Sequence, residues 1–87
     1  MSDLKELRLE INDITRQMVE LFERRLDVSK EVARYKKTHD MPIFQPEREK
    51  EILDMYEAFV DYPKEVVEFL KFVMDLSKKV QKEEISK

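Results

Sequence analysis

The most informative residues of this sequence are polar side chains at positions where its helical pattern predicts apolar ones. They are Arg25, Lys36, Arg48, Glu49, Ser77 and Gln81. A cation on an apolar helix face is costly unless an opposite charge lies beside it. The set holds three cations and one carboxylate, so we expect the missing partner to be an anionic ligand. Because planar guanidinium groups bind carboxylate and phosphate through paired hydrogen bonds, the ligand should carry one of these groups.

Each of these residues also has a simpler interpretation when it is taken alone. Arg25 would form a salt bridge with a glutamate that faces it, and this is the more common role of a single arginine on an apolar stripe. Ser77 and Gln81 would be buried polar groups with hydrogen-bond partners inside the protein. The ligand interpretation depends on the convergence of all of them on one interior.

Two of the cations belong to a long helical repeat that we expect over residues 4–37. Arg25 occupies an a position in it, and Lys36 follows eleven residues later, about three turns on, so both side chains point the same way. Asp3 suits the N-cap, and Glu6 completes a capping box. The apolar positions recur at alternating steps of three and four over four heptads: Leu4, Leu7, Ile11, Ile14, Met18, Leu21, Val28 and Val32.

The remaining site residues lie on two shorter helices that prolines delimit. The loop over residues 38–45 precedes Pro46, which suits the first position of a second helix with Gln45 as its N-cap. Pro63 starts a third helix in the same way, and we expect it to run to about Lys82 before the chain frays. The chain is therefore predicted to be all-α with three helices. The buried face of the second helix should comprise Ile52, Leu53, Tyr56, Phe59 and Val60.

The length of the first helix predicts an intertwined helical dimer. At about 1.5 Å per residue it would extend about 50 Å, whereas a compact domain of this size has a diameter of only about 31 Å. The rest of the chain cannot cover an apolar stripe of that length, so two chains should bury each other's stripes. Arg8 lies seventeen residues before Arg25, about 25 Å along the same helix. In an antiparallel dimer, Arg8 of the partner chain would therefore close the end of the pocket.

Composition excludes several classes of chemistry. The 87 residues contain no Gly, no Cys and one His, which excludes glycine-rich phosphate loops, thiolate chemistry, histidine metal clusters and a Ser-His-Asp triad. We expect neither a metal nor a cofactor. No apolar run reaches the length of a membrane span, so a cytoplasmic protein with no membrane contact is predicted. A net charge of −3 disfavours nucleic acid as a partner.

Four motifs, in order and over nearly the whole chain, resemble the all-helical (AroQ) class of chorismate mutase. They are residues 7–11 (LRLEI, resembling LRxxI), 23–25 with 32–36 (ERR and VARYK, resembling ERR…VAxxK), 42–49 (PIFQPERE, resembling PIxDPxRE), and Ser77 with Gln81 (SxxxQ). One departure is Gln45, which replaces the aspartate usual in that family. Its side-chain role is open, although a backbone contact would survive the change.

The resemblance implies the rearrangement of chorismate to prephenate, the committed step toward phenylalanine and tyrosine. Arg8 of the partner chain and Arg25 would bind the two carboxylates of the substrate, with Ser77 assisting. Lys36 and Gln81 would hydrogen-bond the ether oxygen, where negative charge develops, so that Lys36, Gln81 and Arg25 are the catalytic residues. The residues assigned to the substrate hydroxyl and the charges around it are Gln45, Arg48 and Glu49.

An intramolecular rearrangement of this kind needs no nucleophile, metal or cofactor, because catalysis consists of holding a compact conformer and placing donors where charge appears. We expect residues 1–87 to form a single mutase domain, since the length leaves no room for a fused dehydratase, dehydrogenase or synthase domain.

Two other functions stay open. An isochorismate-pyruvate lyase shares the fold and would use the same anion-binding residues, so the product formed would distinguish it. A non-catalytic helical dimerisation module would use Arg25 only structurally, and it should gain no stability from a dicarboxylate transition-state analogue. A nucleic-acid-binding dimer is disfavoured further, because its cations should face solvent rather than the interior.

Overall fold

The structure, a computed structural model, describes residues 3–87. Over these residues the chain forms three α-helices and no β-strand: α1 at Leu4–Thr38, α2 at Pro46–Glu57 and α3 at Pro63–Ile85. The prediction of an all-α chain with one long helix and two shorter ones is confirmed. None of the helices in this described part is long and apolar enough to cross a membrane.

The ends of α1 follow from local side-chain chemistry. The Asp3 side chain accepts a hydrogen bond from the Glu6 backbone N–H at 2.9 Å, as predicted for the N-cap. This bond satisfies one of the donors that a helix start leaves unpaired. At the other end the His39 backbone N–H bonds to the Lys36 carbonyl at 3.3 Å. Asp40 then takes a φ of 51°, in the left-handed region that aspartate tolerates better than most residues, and the helix stops.

The expected end of α2 was wrong by about one turn. The helix ends at Glu57, and the Phe59 N–H bonds to the Tyr56 carbonyl at 3.3 Å in a tighter turn. Pro63 disfavours helical geometry in Tyr62, the residue before it, so α2 and α3 do not join into one helix. Phe59 was expected on the buried face of α2, but it lies beyond the helix and is 85% exposed.

The predicted fraying after Lys82 was also wrong, because α3 continues to Ile85. Glu84 forms an ion pair with Arg34 of α1 at 2.9 Å, and Lys37 Nζ donates to the Ile85 carbonyl at 3.1 Å. The two side chains from α1 hold the last turn of α3. These contacts join residues about fifty positions apart, so the local sequence gives no sign of them.

The three helices make a flat and extended chain. α3 packs against both α1 and α2, whereas α1 and α2 do not pack against each other. The chain measures 56 × 30 × 13 Å and has a radius of gyration of 16.3 Å. A compact domain of this length would have a radius of gyration of about 12 Å. The space between α1 and α2, on one side of α3, is where the candidate site lies.

The apolar core within the single chain is small. Among the described residues, the buried apolar side chains are Ala33, Val73 and Met74, and the buried polar ones are Ser29, Ser77 and Gln81. Arg25, which was expected on a buried stripe, is exposed in the single chain. The eight apolar positions of the α1 repeat are between 40% and 61% exposed: Leu4, Leu7, Ile11, Ile14, Met18, Leu21, Val28 and Val32.

Candidate active site

The candidate active site is a cavity of about 320 Å³ bounded by all three helices and the loop before α2. Seven of the eight site residues predicted from the sequence line it; Arg8 does not. The complete lining is Arg25, Val28, Ser29, Val32, Lys36, Ile43, Gln45, Arg48, Glu49, Ile52, Met74, Ser77, Lys78 and Gln81.

Arg25 reaches the cavity from α1 and donates from Nη1 to the Ser77 Oγ of α3. Ser77 is buried, so its hydroxyl holds the guanidinium at a defined place on the cavity wall. Arg25 forms no ion pair with a carboxylate among residues 3–87. The simpler interpretation, a salt bridge to a facing glutamate, therefore finds no partner within this part of the chain. The charge of Arg25 remains available to an anion.

Lys36 enters the same cavity three turns further along α1. Its Nζ donates to the Ile43 carbonyl at 2.9 Å and to the Gln81 Oε1 at 3.2 Å. Burial lowers the pKa of Lys36 below its ordinary value, and attraction to the Glu49 carboxylate opposes that change. An ammonium has three donors, so one of them remains for a ligand.

Gln81 lies on α3, opposite Lys36, and is buried. Its carbonyl oxygen accepts from Lys36, and no hydrogen bond among residues 3–87 uses its amide nitrogen. The orientation of the amide follows from the neighbouring cation, because an ammonium can only donate. The two N–H donors of Gln81 are thus left for another acceptor.

Glu49 stands in the first turn of α2 and forms an ion pair with Lys78 of α3 at 3.1 Å. Lys78 also contacts Asp75 at 3.3 Å, and its ammonium lies 4.5 Å from the centre of the Phe44 ring. Burial acts to lower the pKa of Lys78, but the hydrogen bonds to Glu49 and Asp75 outweigh it and raise the pKa. Lys36 lies close enough to Glu49 to be influenced by its charge. Glu49 is therefore paired with Lys78 and also attracts Lys36.

Sequence reasoning missed Lys78 as a cavity residue. It follows Ser77 directly, and the apolar pattern of α3 predicted Ser77 and Gln81, but not Lys78, on or beside the buried face of that helix. The flexible side chain of lysine reaches round the helix to the cavity.

The start of α2 brings Gln45 and Arg48 to the cavity wall. Gln45 is the N-cap of α2, but its side chain makes no capping hydrogen bond. The Arg48 guanidinium pairs with Glu51 of the same helix at 3.3 Å, and both side chains are exposed. An exposed pair of this kind is worth little, so it does not prevent Arg48 from turning to an anion.

Arg8 lies far from the cavity of its own chain. It is exposed on the first turns of α1, about 25 Å along the helix from Arg25. Arg8 forms no ion pair among residues 3–87. The role expected for Arg8 requires a second chain.

The charges around the cavity fit a small anion. Four cations and one carboxylate line it, in a chain whose net charge is −3. Lys78 is neutralised by acids, whereas Arg25 and Lys36 are not paired with any carboxylate among residues 3–87. No group of three metal-ligating side chains occurs in the described part of the chain. The arrangement can bind carboxylates and donate hydrogen bonds to a developing negative charge.

The three-helix fold and this cation-lined cavity agree with the resemblance to the all-helical class of chorismate mutases. The chain belongs to the family described as chorismate mutase type II, which it matches over residues 7–82. Among curated proteins it is 43% identical over 49 residues to the T-protein of Haemophilus influenzae, and 39% identical over 54 residues to the bifunctional chorismate mutase/prephenate dehydratase of Aquifex aeolicus.

These alignments cover 56% and 62% of this chain but only 13% and 15% of the two relatives. The chain therefore corresponds to one part of those longer proteins. Comparison with solved structures gives no match.

Proposed function

We propose that this protein catalyses the intramolecular Claisen rearrangement of chorismate to prephenate, an isomerase reaction. The observation that carries the proposal is the convergence of Arg25, Lys36 and Gln81 on one cavity. Each of them has a hydrogen-bond donor left for a ligand. Membership of the chorismate mutase family supports the assignment.

Arg25 is assigned to one carboxylate of the substrate. The hydrogen bond to the Ser77 hydroxyl fixes the Arg25 guanidinium. Because the side chain is already held, its remaining N–H groups can bind a carboxylate with little further loss of side-chain freedom. The second carboxylate is assigned to Arg8 of a partner chain, since Arg8 of the same chain is out of reach. Holding both carboxylates selects the compact conformer in which the two reacting carbons approach each other.

Lys36 and Gln81 are assigned to the ether oxygen of the substrate. As the carbon–oxygen bond breaks, negative charge grows on this oxygen, and donors placed beforehand stabilise it more than they stabilise the ground state. Lys36 and Gln81 bond to each other at 3.2 Å, so the two donors approach the same point. The reaction itself needs no proton transfer.

Glu49 is assigned to accept a hydrogen bond from the ring hydroxyl of the substrate. It lies at the start of α2 with Gln45 and Arg48 beside it on the cavity wall. The Gln45 side chain has no capping bond to break and is free to assist there. Arg48 would leave its exposed contact with Glu51 and add positive charge near the carboxylates.

The active form is proposed to be an intertwined homodimer. Only three apolar side chains are buried among the described residues, which is too little core for a chain of 87 residues to be stable alone. The apolar stripe of α1 is exposed along its length. Pairing two such stripes would bury them and bring Arg8 of one chain toward the cavity of the other.

The proposal is tested by following chorismate consumption with purified protein and identifying the product. We expect prephenate, with the activity lost in the Arg25→Ala and Lys36→Met variants. Formation of salicylate and pyruvate from isochorismate, without prephenate from chorismate, would assign the cavity to a lyase. If the protein consumes neither compound and a dicarboxylate transition-state analogue leaves its melting temperature unchanged, the proposed function is wrong.

A further inference from the structure

Lys78 differs from Arg25 and Lys36 in having its charge matched by acids of the chain. Its Nζ lies 3.1 Å from the Glu49 Oε2, 3.3 Å from the Glu49 Oε1 and 3.3 Å from the Asp75 Oδ1. Two carboxylates therefore already match the charge of this ammonium, which disfavours an anionic ligand beside it. A direct role in binding a substrate carboxylate does not fit this geometry.

The pair of Lys78 and Glu49 is partly withdrawn from solvent. The two side chains are 22% and 23% exposed, whereas the Asp75 side chain is 72% exposed. A solvent-exposed ion pair contributes little, and a half-buried one contributes more because water screens it less. Glu49 is thus the partner that matters to Lys78, and Asp75 is secondary.

Phe44 covers the Lys78 ammonium from the loop before α2, with the ring centre 4.5 Å away. The preceding residue, Ile43, gives its carbonyl to Lys36. Two consecutive loop residues are therefore held by the two lysines, one through a carbonyl and the other through an aromatic face. This arrangement links the loop, α2 and α3 at the Glu49 carboxylate.

We propose that Lys78 is a positioning residue that neutralises and orients the Glu49 carboxylate, so that Glu49 can accept a hydrogen bond from the ring hydroxyl of the substrate. The inference rests on the proposed function. Without Lys78, the Glu49 carboxylate would be free to rotate away from the hydroxyl of the substrate. The benefit of Lys78 should accordingly be confined to substrates that carry the hydroxyl.

The test compares chorismate with an analogue in which hydrogen replaces the ring hydroxyl. Lys78→Met keeps an unbranched side chain that is one atom shorter, and it removes the charge. We expect kcat/KM for chorismate to fall about tenfold, the size of one charge-assisted hydrogen bond, whereas the loss on the analogue should be less than about threefold. Lys78→Arg, which keeps the charge and the contact with Phe44, should restore most of the activity.

Matched variants separate this role from a general loss of structure. Lys79→Met removes the charge of the neighbouring lysine of α3, which lies outside the cavity lining. Its kcat/KM for each of the two substrates should stay within about twofold of the wild-type value. In a Glu49→Gln background, Lys78→Met should cause no further loss, because residues that act as a unit are not additive. Should Lys78→Met fold poorly by circular dichroism, Lys78→Gln serves in its place.

Equal losses on the two substrates, or additive losses with Glu49→Gln, would overturn the inference while leaving the proposed function intact. A wild-type protein that does not convert chorismate would overturn both. A Lys78→Met protein as active as wild type on chorismate would show that Lys78 has no positioning role and would leave the proposed function unaffected.

Discussion

The Lys36 ammonium donates to the Gln81 Oε1 across the cavity at 3.2 Å, and this contact leaves both amide N–H groups of Gln81 without a partner among residues 3–87. An amide is neutral at all accessible pH values, so its ability to donate does not titrate. A carboxylic acid at the same position would donate only when protonated, and once ionised it would pair with Lys36 and repel the negative charge that develops on the ether oxygen.

The first prediction follows from that contact. Gln81 should make wild-type activity vary little between about pH 5 and 8, whereas Gln81→Glu should be most active at the acid end and lose activity toward pH 8. The measurement is kcat/KM across this range. The control is Gln81→Ala, whose activity should be low but should vary little with pH. A Gln81→Glu profile with the shape of the wild-type profile would remove Gln81 from its catalytic role.

The second prediction concerns the alkaline range. Burial lowers the pKa of Lys36 below its ordinary value of 10.5, and Glu49 only partly opposes this. If the charged form of Lys36 binds the ether oxygen, kcat/KM should fall as Lys36 loses its proton. This fall should occur at a lower pH than the ordinary pKa of lysine would give. Bound substrate adds negative charge and favours the ammonium, so the same limb should appear at higher pH in kcat. The Lys36→Arg variant stays charged, so its remaining activity should not show this fall at alkaline pH.

The same lowered pKa of Lys36 should make the protein more stable as pH rises, whereas it makes activity fall. Between its lowered folded-state pKa and 10.5, the unfolded chain binds more protons than the folded one, so the contribution of Lys36 to the free energy of unfolding rises with pH. Denaturant titrations of wild type and Lys36→Met at several alkaline pH values would measure this. A wild-type stability that falls relative to Lys36→Met across that window would contradict the direction given for the Lys36 pKa.

The third prediction concerns the shape of the Arg25 side chain. Arg25→Lys keeps the positive charge but loses the planar pair of donors and the fixed contact with Ser77. Activity should fall by about a hundredfold or more while the helical circular dichroism spectrum is retained. Arg24→Lys is the matched control, because Arg24 is adjacent, exposed and absent from the cavity lining. Near wild-type activity of Arg25→Lys would show that Arg25 does not bind a substrate carboxylate.

The fourth prediction tests whether Arg8 completes the cavity of a second chain. Arg8→Ala and Arg25→Ala homodimers should each be nearly inactive. After the two are unfolded together in equal amounts and refolded, about half of the dimers should be mixed. Each mixed dimer has one site with both arginines intact, so roughly a quarter of the wild-type sites should return. Verified heterodimer without regained activity would exclude the shared site.

The fifth prediction concerns the assembly itself. Ile14 is 55% exposed in the single chain, so Ile14→Glu would be harmless to a monomer. In the proposed dimer it would bury a charge without a partner, which should dissociate or unfold the protein. Asn12→Glu places the same charge on another face of α1 and should be tolerated. Sedimentation equilibrium and the concentration dependence of the melting temperature would measure both variants. A monomeric wild type would exclude the dimer.

The sequence by itself determined where the helices begin, which residues share a face, and the family. The side chain of Asp3 and the prolines at 46 and 63 act on their own neighbours in the chain, and such local effects can be predicted without knowing the fold. The positions of Arg25 and Lys36 on one side of α1 follow from helical periodicity in the same way. Most of the candidate site could therefore be predicted.

Tertiary structure alone decided which charges on different helices are matched. Lys78 meets Glu49 because α2 and α3 pack together, and Arg34 meets Glu84 because α1 and α3 do. The first contact neutralises an acid of the site, and the second extends α3 by a turn. Arg25 meets no acid among the described residues, although the sequence offers many. The energy of an ion pair depends on distance and burial, and for residues far apart in the chain both are set only by how the helices pack.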